Sequence, residues 1–162
     1  MLTDSYIVPR CAAMPGSFGG LMALYESNFI KLSSLLGEPA SLLSNAASTA
    51  DDDLPLYLTV GDASRYTRVL HLTYRFDEQG QTIADPDLCV RVYLDARMAE
   101  VRSWARHHHH GMLLQLRREF GRELDRRWSR NMMFSKWLDY LLDRGHRFSP
   151  ASVRPAEACA GA

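Results

Sequence analysis

The chain predicts an α+β domain, a four-stranded antiparallel meander packed with an amino-terminal helix and long carboxy-terminal helices. Three observations predict it. Apolar residues recur at three-and-four spacing before residue 37, at alternate positions from about residue 56, and at three-and-four spacing again after residue 112. Strands gathered between helices, rather than alternating with them, give an α+β order.

The first helix rests on Leu21, Leu24, Tyr25, Phe29, Leu32, Leu35 and Leu36, one apolar stripe within residues 17–37. Gly37 followed by Pro39 supplies the stop. Residues 39–53 are rich in Ser, Ala and Asp and predict a solvated linker. Its triplet Asp51, Asp52 and Asp53 lacks the glycine and distal glutamate of a calcium loop.

The period then becomes two. Leu56, Leu58 and Val60 alternate with Tyr57 and Thr59; Tyr66, Leu70, Leu72, Tyr74 and Phe76 share a face, as do Leu88, Val90, Val92 and Leu94. The stretch LCVRVYLDARMAEVRSW reads as a hairpin with a two-residue Ala96-Arg97 turn. That register sets Val92 against Val101 and Leu94 against Ala99, so the apolar faces agree. It also sets Tyr93 opposite Glu100 and Arg91 opposite Arg102, a like-charge pair that costs a few tenths of a kcal/mol unless an anion or a diagonal Glu100 relieves it.

Past residue 112, Leu113, Leu116, Phe120, Leu124 and Trp128 form one stripe, and Phe134, Trp137, Leu138, Leu141 and Leu142 carry it onward to Gly145. This predicts helix with a break near Asn131. The layout is then an arm over residues 1–16, one domain over 17–148 and a tail over 149–162.

Composition narrows the function classes. With 19 basic and 19 acidic side chains among 162 residues the formal charge is zero, so no global field draws the chain to nucleic acid or an anionic membrane. Cys11, Cys89 and Cys159 are too few and too far apart for a disulfide framework or a zinc cluster, which points to a reducing cytoplasm. The first residues, MLTDSYIVPR, carry an acid at Asp4 and lack the apolar run of a signal peptide, and no segment reaches membrane-spanning length.

The order of elements, with VRVYLDARMAEV at residues 90–101, RYTRVLHL at 65–72, LYESNFIKLSSLL at 24–36 and NMMFSKWLDYLLDRGH at 131–146, resembles the YqiB-like family of small bacterial proteins, a domain of unknown function. The resemblance spans roughly residues 20–147. It implies a cytosolic α+β protein and brings no catalytic set, cofactor or substrate. Family members commonly place a histidine where this chain has Leu94, so no metal or proton-transfer role passes to that position.

Chemistry-bearing motifs are sparse. The run His107, His108, His109 and His110 precedes Gly111 in a connection and lacks the spacing of a zinc hydrolase, so it predicts adventitious metal binding only. No GxSxG elbow, phosphate-binding glycine loop or dinucleotide fingerprint is present, and no cofactor is expected. What remains is the outer sheet face, where His71, Arg75, Arg91, Tyr93, Glu100 and Arg102 are expected to gather, with Asp95 and Arg97 at the hairpin turn. The function favoured is non-enzymatic: an accessory protein that binds a protein partner or a small anionic ligand on that face. The alternative is nucleic-acid binding through the arginine-rich helix over residues 117–130, although Glu119 and Glu123 are placed to pair with Arg122, Arg126 and Arg127. A metal-dependent hydrolase ranks third.

Overall fold

The apolar stripe of the first helix becomes the buried side of α1, Phe18–Leu36. Ser17 starts it, its hydroxyl accepting the Gly20 N–H at 3.1 Å and so satisfying one of the open amides of the first turn. Gly37, at φ 77°, stops it and returns its own N–H to the Ser33 carbonyl at 2.8 Å. The computed structural model describes residues 16–104 and 123–148. The histidine run His107, His108, His109 and His110, residues 117–122 of the arginine-rich stretch, the tail over 149–162 and all but the last residue of the arm lie outside the described residues.

The sheet has five strands where four are expected from the sequence: β1 Ala46–Ser48, β2 Leu56–Ala63, β3 Thr67–Glu78, β4 Gln81–Tyr93 and β5 Met98–Trp104. They pair antiparallel in chain order, so the sheet is a meander. The extra strand falls inside the segment expected to be a linker. Three small residues offer no alternation to read, and β1 is fixed by tertiary bonds instead. Asn45 Oδ1 accepts the Val60 N–H at 2.9 Å just beyond the β1 pairing, and Ser48 Oγ accepts the N–H of Arg147, in the segment after residue 143.

The β3–β4 connection is a two-residue turn, Gln79 and Gly80, with φ of 52° and 81°. Two positive φ values match the right-handed twist of the flanking strands, which is why a glycine stands there. The β4–β5 hairpin corrects the expected register by two residues. Tyr93 pairs with Met98, Val92 with Ala99, Arg91 with Glu100 and Val90 with Val101, around a four-residue loop whose Arg97 has φ 53°. A slip of two keeps the side chains from Met98 to Val101 on their predicted faces but exchanges their partners. It replaces the Arg91–Arg102 repulsion with an Arg91–Glu100 pairing, and it frees the Leu94 N–H to donate to the Tyr66 carbonyl at 2.8 Å.

The second helix, α2, runs Glu123–Asp143 without the break expected near Asn131. One described helix thus stands where long carboxy-terminal helices are predicted. Asn131 holds its turn by donating from Nδ2 to the Arg127 carbonyl at 2.9 Å. Its Oδ1 accepts the N–H of Val101 at 2.8 Å, so α2 satisfies part of the β5 edge. Phe29, Leu32, Leu35 and Leu36 of α1 and Phe134, Leu138 and Leu141 of α2 close over Leu56, Leu58, Leu70, Leu72, Leu88, Val90, Val92 and Val101. Each such side chain contributes about 1.5–3 kcal/mol by leaving water. Phe148 joins this core and donates its N–H to the Leu35 carbonyl at 2.9 Å, closing the end of α1.

Candidate functional site

Alternation along the strands sends the other half of the side chains to the outer face. The ladder aligns Thr59, His71, Cys89 and Ser103 in one row across β2 to β5, and Val69, Arg91 and Glu100 in the next. Between Cys89↔Ser103 and Val90↔Val101 the register shifts, leaving Arg102 as the unpaired residue of a bulge. Arg102 and Ser103 are exposed, and His71, Cys89 and Arg91 are half-buried. His71 is thus the β3 neighbour of Cys89, Arg91 lies two residues along β4 on the same face, and Arg102 stands at the adjoining bulge of β5. Asp87 lies on the same face one row away, paired with Thr73.

The carboxylate nearest those cations is engaged elsewhere. Glu100 is only 7% exposed, and it accepts the Tyr93 hydroxyl on Oε1 at 2.7 Å and the Tyr25 hydroxyl on Oε2 at 3.0 Å. Arg127 of α2 approaches the same Oε2 at 3.6 Å and also binds Glu123 at 3.0 Å. Burial, reinforced by the Glu100 charge and its hydrogen bond, pushes the Tyr25 hydroxyl up to about 12. Burial and the same carboxylate also raise the Tyr93 hydroxyl, while neighbouring Arg91 works against the rise. The bond to Glu123 leads in raising Arg127 above its ordinary value. Met98, on the same side of β5, packs against Leu21, Leu24 and Tyr25 of α1 with Leu124 and Trp128 of α2. Both faces of β5 therefore meet helix.

The residues expected to form one site separate into groups. His71, Arg91 and Arg102 come together, with Tyr93 and Glu100 beside them but turned toward α1. Arg75 stands four residues along β3 from His71, roughly 13 Å at the strand rise, where it stacks over the Tyr57 ring at 4.7 Å. Asp95 is exposed in the hairpin loop. Arg97 stacks over the Phe29 ring at 5.0 Å, on the side of α1. Among the described residues no carboxylate lies within ion-pair distance of Arg75, Arg91 or Arg102.

A second polar cluster was not legible in advance. His146, fully buried, lies between Asp53 and Ser48: Nε2 is 3.1 Å from Asp53 Oδ2 and Nδ1 is 3.2 Å from Ser48 Oγ. Asp53 also accepts the Tyr74 hydroxyl at 2.6 Å and the Leu54 N–H at 2.9 Å. Burial alone would raise the Asp53 carboxyl, but the bonds from Tyr74, Leu54 and His146, with the His146 charge, outweigh it and hold the group below its ordinary value. Burial and the bond to Asp53 push the Tyr74 hydroxyl well above its own. Ser48 Oγ also accepts the Arg147 N–H at 3.0 Å, so one hydroxyl meets both the backbone after α2 and the His146 ring.

The connectivity is that of a Ser–His–Asp relay, yet Ser48 is 3% exposed and His146 not at all. A nucleophile must be reached by the bond it attacks. Here the cluster joins the chain end after α2 to β1 and to the loop before β2, and it works as a strap. One signal for it was available: Tyr74 falls on the inward face of β3, where its hydroxyl requires a partner.

Among the described residues no group of three or more His, Cys, Asp and Glu side chains is placed to hold a metal ion. No helix among them is long and apolar enough to cross a membrane. No curated protein and no solved structure matches the chain. A family model does, over residues 31–147, which takes in the last six residues of α1, the whole sheet and all of α2 with His146. The YqiB-like naming is finer than this match. On that span the chain belongs to the family described as protein of unknown function, DUF1249.

Proposed function

We propose that the protein is a non-enzymatic accessory module that binds an anionic ligand, carried by a protein partner or free as a small molecule, on its outer sheet face. One observation carries the reading: the Arg91 and Arg102 side of the sheet has no ion-paired carboxylate among the described residues, because Glu100 is committed to Tyr25, Tyr93 and Arg127. Guanidinium groups without an ion-paired carboxylate among the described residues suit carboxylate or phosphate oxygens, and Arg91 also meets the Tyr93 hydroxyl. The arginine-rich helix is less available to nucleic acid, since Arg127 serves Glu100 and Glu123 and Arg130 reaches Glu123 at 3.8 Å. The reading places the protein in the cytoplasm of a bacterium as a YqiB-like protein, with one domain over residues 17–148 and no cofactor.

Amide chemical-shift mapping with tripolyphosphate as the probe anion tests it. Shifts should concentrate on residues 69–71, 89–91 and 100–103 and weaken steeply as salt is raised. Shifts confined to Arg126 and Arg130 of α2 would transfer the reading to nucleic acid, and an unperturbed spectrum would end it.

A further inference from the structure

From the strap, and independently of the anion-binding face, we infer that residues 146–148 form a proton-controlled latch. It is closed while Asp53 carries its charge and is released when Asp53 takes up a proton, with the sheet and both helices still folded.

The helix before the latch closes on itself. Gly145, at φ 87°, turns the chain, its N–H returning to the Leu142 carbonyl at 3.1 Å and the His146 N–H to the Leu141 carbonyl at 3.0 Å. The end of α2 is thus capped from within and takes nothing from the side chain of His146 or from the residues after it. Those residues reach the rest of the fold by a short set of ties. The His146 ring meets Ser48 Oγ and Asp53 Oδ2, the Arg147 N–H meets the same Ser48 Oγ, and the Phe148 N–H meets the Leu35 carbonyl while its ring joins the core. All but the Phe148 ties pass through the imidazole or through Ser48. A segment held so narrowly can open below the free energy of global unfolding.

Charge decides when it opens. His146 is fully buried. Tyr74 of β3 faces it with ring centroids 6.2 Å apart, and Ser48 of β1 holds its other nitrogen. From α2, the Tyr140 hydroxyl reaches Asp53 Oδ1 at 3.4 Å and Arg144 stacks over the Tyr140 ring at 5.1 Å. The Arg147 guanidinium donates to the His146 carbonyl at 2.7 Å. Among the described residues, Asp53 is the carboxylate within ion-pair distance of the ring. While charged, it accepts from Nε2 whether the imidazole is neutral or cationic. Once Asp53 is protonated, a cationic ring would be buried near Arg144 and Arg147 with no counter-charge, which a protein interior does not hold. The ring leaves, and Arg147 and Phe148 leave with it. The bonds that outweigh burial at Asp53 keep its carboxyl below its ordinary value. The latch is therefore closed at neutral pH and opens as pH falls below the ordinary carboxylate range of about 4.

Amide hydrogen exchange between pH 7 and 3 tests this on the wild type, Asp53→Asn and His146→Gln, with circular dichroism at pH 7 to confirm folding. In the wild type, protection at Arg147 and Phe148 should fall at least tenfold in acid while Leu70, Leu72 and Leu138 stay protected. Asp53→Asn leaves the ring an acceptor oxygen but no counter-charge, so the same loss should appear at higher pH. His146→Gln keeps a donor amide that takes up no proton and should lack the acid step. If Arg147 and Phe148 lose protection only together with Leu70 and Leu72, no separate latch exists and the inference fails. Opening of the Asn variant at or below the wild-type pH, or an acid step of wild-type size in the Gln variant, would also overturn it. Should the Asn variant not fold, the wild type and His146→Gln decide the matter alone.

Discussion

Glu100 and Asp53 are each a carboxylate that accepts a tyrosine hydroxyl, the first buried and the second half-buried, and they sit toward opposite edges of one sheet, yet they do different work. Glu100 stands on β5, and its partners come from α1, β4 and α2. Asp53 stands in a loop, and its partners come from β3, from the segment after α2 and from its own backbone neighbour. The first draws a negative charge away from the outer face and so leaves Arg91 and Arg102 without an ion pair among the described residues. The second has no bearing on that face and fastens the end of the chain to β1. A buried carboxylate is therefore a poor guide to function by itself. What it takes away from the surface around it is more informative.

If Asp53 and His146 form a strap, removing the imidazole should have the largest effect. His146→Ala removes one of the two bonds on Asp53 Oδ2 and the ring bonded to Ser48 Oγ and opens a cavity beside Tyr74, which together should cost about 2–4 kcal/mol. Urea denaturation reads this as a lower midpoint with an unchanged slope. Tripolyphosphate affinity should stay as in the wild type.

Acid sharpens the contrast next. The Asp53 carboxyl is held below its ordinary value in the folded chain, so the unfolded chain takes up its proton first as pH falls. Its contribution to stability is present above the ordinary carboxylate range of about 4 and is lost as pH drops through that range toward the lower folded value. Urea midpoints between pH 6 and 3 should fall with acid, and Asp53→Asn should flatten that decline while lowering the neutral-pH midpoint. An acid slope unchanged in the Asn variant would place the titrating group elsewhere.

Glu100→Gln should give the smaller stability change, about 1–2 kcal/mol, because an amide oxygen still accepts one hydroxyl while the charge-assisted contact with Arg127 is lost. Its clear signature is spectroscopic. The Tyr25 hydroxyl, pushed up to about 12 by burial and Glu100, should titrate closer to its ordinary value once the charge is gone. Ultraviolet tyrosinate titration of the variant against wild type measures the change.

Much of the fold was open to reading in the sequence, and the reasons differ by element. The α1 stripe and its Gly37 stop, the inward faces of β2 to β5 and the α2 stripe all follow from periodicity, which is local. The β4–β5 register was off by two because alternation fixes only which face a side chain takes, while the pairing depends on loop length and on the long-range bond from Leu94 to the Tyr66 carbonyl. The strand β1 and the strap at His146 were hidden for a related reason. Their partners lie 98 residues apart between Ser48 and His146 and 93 between Asp53 and His146, and nothing within either segment announces the other. Of the candidate site, the outer-face residues were identifiable from alternation. Their division into an Arg91, Arg102 group, a separate Arg75 and an Arg97 turned toward Phe29 needed the bulge and the loop in three dimensions.

The most direct test of the account measures tripolyphosphate affinity and the urea midpoint on the same two proteins, the Arg91→Gln, Arg102→Ser variant and Glu100→Gln. The account predicts that the arginine variant loses at least tenfold in affinity with its midpoint close to wild type, while the Glu100 variant loses stability and keeps its affinity. The reverse pattern, with affinity following Glu100 and stability following the two arginines, would contradict it.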